Sequence, residues 1–160
     1  ASELTAAQVG KLGQVRRDPM AMLPFCGYNM AAYFKHWLDM GKRMNKPPKI
    51  FHINWFRADK NGKFLWPGFG ENLRVLEWIL ALCNNKVEAD SAPIGYIPLP
   101  QDIDMIGLKL QDGVLEKLLH VNKEDWFEEL KGIKQFFRQF KKELPVELWQ
   151  EYDELYKRLK

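Results

Sequence analysis

An Asn-Gly pair at residues 61 and 62 constrains this chain more than any other local feature. It lies between two apolar runs, KIFHINWF at residues 49–56 and KFLW at residues 63–66. Asn-Gly favours the tight turn that joins two antiparallel strands. The sequence therefore predicts a strand over 49–56, with alternate side chains on opposite faces, and a hairpin that brings Phe56 near Phe64.

Helical patterns dominate the rest of the chain. Asn29 and Asn72 are predicted to cap the first two helices, and Pro145 fits the first turn of the last one. Between residues 84 and 100 we expect a loop with a short extended piece. The predicted helices cover 30–41, 73–84, 112–120, a long stretch after Asn122 and a stretch after Pro145. The fold class is therefore α+β, with a small mixed sheet containing the hairpin, several helices and a helical C-terminal third.

Composition limits the classes of function. Apolar residues make up 46% of the chain, too many for a largely disordered protein. No apolar stretch approaches the roughly 20 residues that cross a bilayer, and the sequence does not open with the basic-then-apolar pattern of a signal peptide, so we expect a cytoplasmic protein without a membrane partner. The net charge is only +3, but the segment from Lys35 to Arg74 contains nine Lys or Arg residues and only three acidic residues. A basic, aromatic segment suits an anionic partner with a planar ring, or is simply a solvated face.

Few residues are arranged for bond-making chemistry. Cys26 and Cys83 are far apart, which makes zinc or a disulfide framework improbable and favours buried free thiols. The three histidines stand apart from acidic residues at ligand spacing, and no phosphate-binding G-x-x-x-x-G-K-[ST] motif occurs. The sequence thus predicts no catalytic residue and no metal ligand.

The richest cluster of residues surrounds the predicted hairpin. Two rings from the hairpin, a third from the WPGFGEN loop and flexible glycines would make a slot for a planar base. In that slot, backbone N–H groups could donate to the O6 atom of guanine, while the Asn72 side-chain oxygen accepts from N1 or N2. An aromatic minicore, with Asn72 only capping a helix, explains the same residues and stays open.

Four strings of the sequence together resemble GTP-dependent phosphoenolpyruvate carboxykinase, in its C-terminal part. They are PFCGYN from residue 24, KIFHINWFRADKNGKFLWPGFGEN over 49–72, RVLEW from residue 74 and PIGYIP from residue 93. The resemblance implies part of the C-terminal lobe of that fold. It also implies a lyase reaction of gluconeogenesis, in which oxaloacetate and GTP give phosphoenolpyruvate, GDP and CO2.

The resemblance places the guanine pocket of that family on residues of this chain. It implies that three phenylalanines line the pocket and that Asn72 hydrogen-bonds the base, while the segment from Phe69 to Asn72 supplies main-chain contacts. The implied set is Phe56, Phe64, Phe69, Gly70, Glu71 and Asn72.

The first thirteen residues are similar to the flexible lid of that family. A lid excludes water and protects the enolate intermediate from protonation. The implied lid residues are Ser2, Glu3, Leu4, Thr5, Ala6, Ala7, Gly10 and Gly13. We thus expect one partial domain, with a lid loop over 1–13, a nucleotide-binding α/β part over 14–100 and C-terminal helices over 101–160.

The resemblance also implies parts that this sequence does not match. In the family, the phosphate loop, the substrate arginines and the ligands of Mn²⁺ and Mg²⁺ lie upstream. We therefore expect a segment that binds GTP or GDP, has the missing N-terminal part of the enzyme as its partner, and shows no turnover alone. Two alternatives remain: a stand-alone module for guanine nucleotides or RNA, and a structural domain with buried aromatic rings.

Overall fold

Five α-helices and two pairs of short strands form the regular structure of residues 2–3, 15–16, 18–19 and 22–160, which the computed structural model describes. In chain order they are β1 (Ser2–Glu3), β2 (Val15–Arg16), α1 (Met30–Arg43), α2 (Asn72–Cys83), β3 (Asp90–Ala92), β4 (Gly95–Ile97), α3 (Val114–Leu119), α4 (Lys123–Arg138) and α5 (Val146–Leu159). The chain divides into two units, one formed by the residues up to Pro47 with Lys123–Lys160, the other by Pro48–Asn122. This mixture of helices and antiparallel strands confirms the predicted class.

The first unit has its core between α1 and the C-terminal helices. Asn29 caps α1 as predicted, because its Oδ1 accepts the Ala31 amide at 2.9 Å. Phe34 is buried and its ring meets the ring of Phe140 edge-on, with centroids 5.5 Å apart. The buried members of this cluster are Met30, Ala31, Phe34, Phe140 and Leu144.

An exposed ion pair joins α1 to α5 at the surface of this unit. Lys42 Nζ donates to Glu147 Oε1 at 2.8 Å. That hydrogen bond lowers the pKa of Glu147 and raises the pKa of Lys42. Since both groups are solvated, we attribute the α1–α5 contact mainly to the apolar cluster beneath the pair.

The second unit holds α2, the β3–β4 hairpin and α3. β3 and β4 pair antiparallel, with Ser91 opposite Tyr96. The extended piece predicted near residues 93–100 is therefore the second strand of a hairpin, whose first strand the sequence did not predict. β1 and β2 form a separate antiparallel pair, so the described strands make two small sheets and the single mixed sheet is wrong.

The predicted strand over residues 49–56 does not form. Its alternation is present, since Phe51, Ile53 and Trp55 are half-buried while the residues between them are exposed. However, the Asn54 side-chain oxygen accepts the Phe56 amide at 3.0 Å and turns the backbone there. Such local side-chain bonds compete with strand pairing, and residues 49–56 form neither a strand nor a helix.

Other predictions need smaller corrections. The second helix begins at Asn72, one residue early, and Asn72 makes no capping bond, so its predicted role as a cap is wrong. Pro145 precedes α5 as its N-cap residue.

Cys83 is exposed and Cys26 half-buried, so the prediction of two buried thiols fails for Cys83, which ends α2. Among the described residues, no helix is long and apolar enough to cross a membrane.

We predict that Phe34→Ala lowers the free energy of unfolding by about 3–5 kcal/mol, because it empties the centre of the first unit's core. Urea denaturation followed by circular dichroism measures this. Phe25→Ala is the matched control, since Phe25 belongs to the same unit and is exposed; a loss of similar size there would contradict the assigned core.

Candidate functional site

A tight turn positions the first two candidate residues. The Asp59 carboxylate accepts the amides of Asn61 and Lys63 at 2.8 and 3.0 Å, and Gly62 has a φ of 79°, which glycine adopts without strain. Ala58 and Phe64 form an isolated antiparallel bridge. The predicted hairpin is therefore confirmed as a short turn. Its backbone bridge joins Phe64 to Ala58, which lies two residues after Phe56.

Phe56 and Phe64 meet above this turn. Their ring centroids lie 5.8 Å apart at an angle of 63°, an edge-to-face contact. The rings are nevertheless 71% and 58% exposed. A minicore would bury them, so the minicore alternative is wrong for these two rings.

The turn is anchored to α3 through Arg57. Its guanidinium Nη1 donates to the carbonyls of Leu118 and His120, both at 3.0 Å. These carbonyls lie at the C-terminal end of α3, where unpaired acceptors favour a cation. These two hydrogen bonds hold the backbone at Arg57, next to Phe56, and so help to position the ring of Phe56.

The WPGFGEN loop is closed by one side-chain hydrogen bond. Trp66 Nε1 donates to Asn72 Oδ1 at 2.8 Å, and Trp66 is only 7% exposed. Between them, Gly68 adopts φ 123° and ψ −170°, a conformation almost restricted to glycine. Sequence reasoning missed Trp66, although a buried indole N–H needs an acceptor and Asn72 lies six residues away.

The other candidates in this loop have different surroundings. Phe69 is 91% exposed, and its ring makes no contact with another aromatic ring of the described residues. The Glu71 carboxylate is engaged by Arg74 Nε at 2.6 Å. The amides of Glu71 and Asn72 donate to the carbonyls of Gly68 and Phe69, so both of these main-chain donors are already bonded.

The structure brings some of the predicted residues together and leaves others apart. Phe56 contacts Phe64, while Phe69, Gly70, Glu71 and Asn72 share the turn that opens α2. Two surface cavities of this unit lie elsewhere: one of about 260 Å³ beside Trp78, and one of about 310 Å³ beside Arg57. Phe56 and Phe64 therefore form one exposed pair and Phe69 is a separate exposed ring, and none of the three lines either cavity.

No group of three or more metal-ligating side chains occurs in the part of the chain that the structure describes. Ser2 and Glu3 pair with Arg16 and Val15, which differs from the loop predicted there. The other predicted lid residues, Leu4, Thr5, Ala6, Ala7, Gly10 and Gly13, lie outside the described residues.

Comparison with known proteins adds independent information. A family profile described as "Phosphoenolpyruvate carboxykinase C-terminal P-loop domain" matches residues 1–158. Proteins named phosphoenolpyruvate carboxykinase [GTP] from Thermoplasma volcanium and Chlamydia muridarum are each 45% identical, over 98% and 99% of this chain. The protein of that name from Chlamydia abortus is 48% identical over 90% of the chain. The chain spans 26%, 27% and 24% of the lengths of these relatives.

We predict that Gly68→Ala lowers the free energy of unfolding by about 1–3 kcal/mol, because alanine is strained at this φ and ψ. Gly70→Ala is the matched control: its φ is not positive, and an added Cβ meets no atom within 4 Å. Urea denaturation of both variants checks this, and equal losses would contradict the strained geometry at Gly68.

Proposed function

The chain belongs to the GTP-dependent phosphoenolpyruvate carboxykinase family, and on that premise we propose that residues 56–72 bind the guanine base of GTP or GDP. The proposed reaction of the whole enzyme converts oxaloacetate and GTP into phosphoenolpyruvate, GDP and CO2. The chain covers about a quarter of its curated relatives, so the reaction is assigned to a larger protein of which this chain is a part.

One observation carries the proposal for the site. Three phenylalanine rings that could stabilise a core are instead exposed, at the turn and loop that precede α2. Exposed rings are available to stack on a purine, and each stacked base contributes on the order of 1–3 kcal/mol. Asn72, the first residue of α2, directly follows this loop; it is half-buried and accepts a hydrogen bond from Trp66, and its carboxamide offers polar atoms to the edge of the base.

The proposed role of Glu71 is indirect. Its carboxylate is paired with Arg74, which also donates to the Asp104 carbonyl at 2.7 Å. This network ties the first turn of α2 to the segment near residue 104. We assign Glu71 to holding the loop in place, and Gly70 to leaving space beside it, since no side chain or backbone lies within 4 Å of its missing Cβ.

The remaining parts of the enzyme are proposed to come from outside these 160 residues. The sequence contains no G-x-x-x-x-G-K-[ST] motif. The described residues offer no cluster that fits Mn²⁺ or Mg²⁺, so we derive no step through either ion. We propose that the chain forms part of the C-terminal lobe, that the rest of the enzyme is its partner, and that the protein acts in the cytoplasm.

The proposed lid comprises residues 1–13. The similarity of these residues to the lid of the family supports it; of them the structure describes Ser2 and Glu3, which pair with Arg16 and Val15. A lid closes over an active site and excludes water there. Exclusion of water would protect an enolate from protonation until it is phosphorylated.

The alternative of a stand-alone module for RNA or guanine nucleotides is not favoured. The family match covers nearly the whole chain, residues 1–158, and every relative named above is a carboxykinase. The excess of basic residues between Lys35 and Arg74 is compatible with either function. Steep salt dependence of binding to single-stranded RNA would revive the alternative.

We predict that Phe69→Ala weakens GDP binding roughly 5- to 100-fold, because the substitution removes a stacking ring, and leaves the unfolding transition unchanged, because the ring is 91% exposed. Nuclear magnetic resonance titration of the chain detects even weak binding. Phe25→Ala, another exposed phenylalanine outside this unit, should bind GDP as the unaltered chain does. Equal affinity of the Phe69 and Phe25 variants would contradict the proposed site.

We further predict that the 160-residue chain binds guanine nucleotide but does not form phosphoenolpyruvate from oxaloacetate and GTP. The reason is that it carries no phosphate-binding motif to position the transferred phosphoryl group. A coupled assay for phosphoenolpyruvate with Mn²⁺ and Mg²⁺ present measures this. Turnover by the chain alone would show that these residues contain catalytic groups after all.

A further inference from the structure

The hydrogen bond between Trp66 and Asn72 determines how the Asn72 side chain is oriented. An indole nitrogen can only donate a hydrogen bond, so the carboxamide atom 2.8 Å away from it must be the oxygen. Trp66 is 7% exposed, which leaves water little access to its N–H. Rotating the carboxamide by half a turn would place two N–H groups against each other and leave the buried indole without an acceptor. That orientation is disfavoured roughly 5- to 150-fold.

The carboxamide therefore presents its NH2 group away from Trp66. Within the described part of the chain, Asn72 Nδ2 makes no hydrogen bond, and the residue is half-buried, three positions after the exposed Phe69. The neighbouring amides of Glu71 and Asn72 are already bonded to carbonyls of the same turn. Of these polar groups at the start of α2, the Asn72 NH2 is the donor that remains for a ligand.

Purine bases differ at the position that such a donor would meet. Guanine carries an oxygen at position 6, which accepts hydrogen bonds, while adenine carries an NH2 group there, which donates them. An NH2 group fixed on the protein matches the first and opposes the second. A carboxamide free to rotate could satisfy either base by exchanging its oxygen and nitrogen.

We propose that Trp66 is a positioning residue that fixes Asn72 as a donor, and so makes the site select 6-oxopurines over 6-aminopurines. This rests on the proposed function, that residues 56–72 bind a purine base. It differs from the expectation that the Asn72 oxygen faces the base, because that oxygen is directed to Trp66. The specificity then depends on a side chain that need not touch the nucleotide.

The test compares GMP with AMP, which differ in the base and share the same phosphate. Nuclear magnetic resonance titration of the 160-residue chain gives both affinities for the unaltered protein, Trp66→Phe and Trp55→Phe. Phenylalanine at position 66 keeps an aromatic ring but removes the indole donor. Trp55→Phe is the matched control, because Trp55 packs against Trp66 with centroids 6.2 Å apart and has no part in the bond to Asn72.

We expect the unaltered chain and Trp55→Phe to prefer GMP over AMP to the same degree. Trp66→Phe should reduce that preference roughly 3- to 10-fold, chiefly through tighter binding of AMP, since its carboxamide can rotate. A variant that merely loosened the loop would weaken both nucleotides equally and leave their ratio unchanged. A folded Trp66→Phe chain with an unchanged ratio would overturn the proposal.

Asn72→Asp provides a second measurement if Trp66→Phe does not fold. One carboxylate oxygen can still accept from Trp66, while the other replaces the NH2 group with an acceptor. The ratio should then shift towards AMP, because the outward atom opposes the guanine oxygen at position 6 and accepts from the adenine NH2 group; an unchanged ratio would overturn the proposal. If the unaltered chain itself does not prefer GMP, the proposed function fails as well; if it does and both variants keep that preference, only the role of Trp66 fails.

Discussion

The loop between the aromatic turn and α2 depends on one buried hydrogen bond, from the Trp66 indole to the Asn72 carboxamide. A buried N–H without an acceptor is costly, which favours a loop that brings these two residues together. Gly68, which lies between these two residues, adopts a positive φ that other residues avoid, and this allows the chain to turn within the loop. Phe69 lies within the loop that this bond closes, and Glu71, which pairs with Arg74, comes directly before the start of α2.

Sequence patterns predicted the helices well, because each depends on local spacing and end signals. Asn29 capping α1 is one such signal. The segment over residues 49–56 shows that a periodic pattern alone does not predict a strand. Its alternation of exposed and half-buried residues is real, yet a strand needs a partner, and periodicity carries no information about partners. The Asn54 side chain satisfies the Phe56 amide locally, which removes a donor that strand pairing would use.

The sequence predicts a set of residues for the candidate site, but it does not predict how their side chains are arranged. The turn at Gly62 and the meeting of Phe56 with Phe64 follow from an Asn-Gly signal. Which carboxamide atom of Asn72 faces outward does not, because it is decided by a contact with Trp66 that exists only once the loop has closed. The sequence also did not predict that Glu71 pairs with Arg74, although the three-residue spacing of the two is typical of ion pairs on helix surfaces.

The three exposed rings have a thermodynamic consequence. If a purine stacks on these side chains as proposed, water around Phe56, Phe64 and Phe69 is released. Release of water from apolar surface lowers the heat capacity of the system, whatever the sign of the binding enthalpy at one temperature. Ligand association at this surface should therefore become more exothermic on warming, a calorimetric property that a site built only from charges would not share.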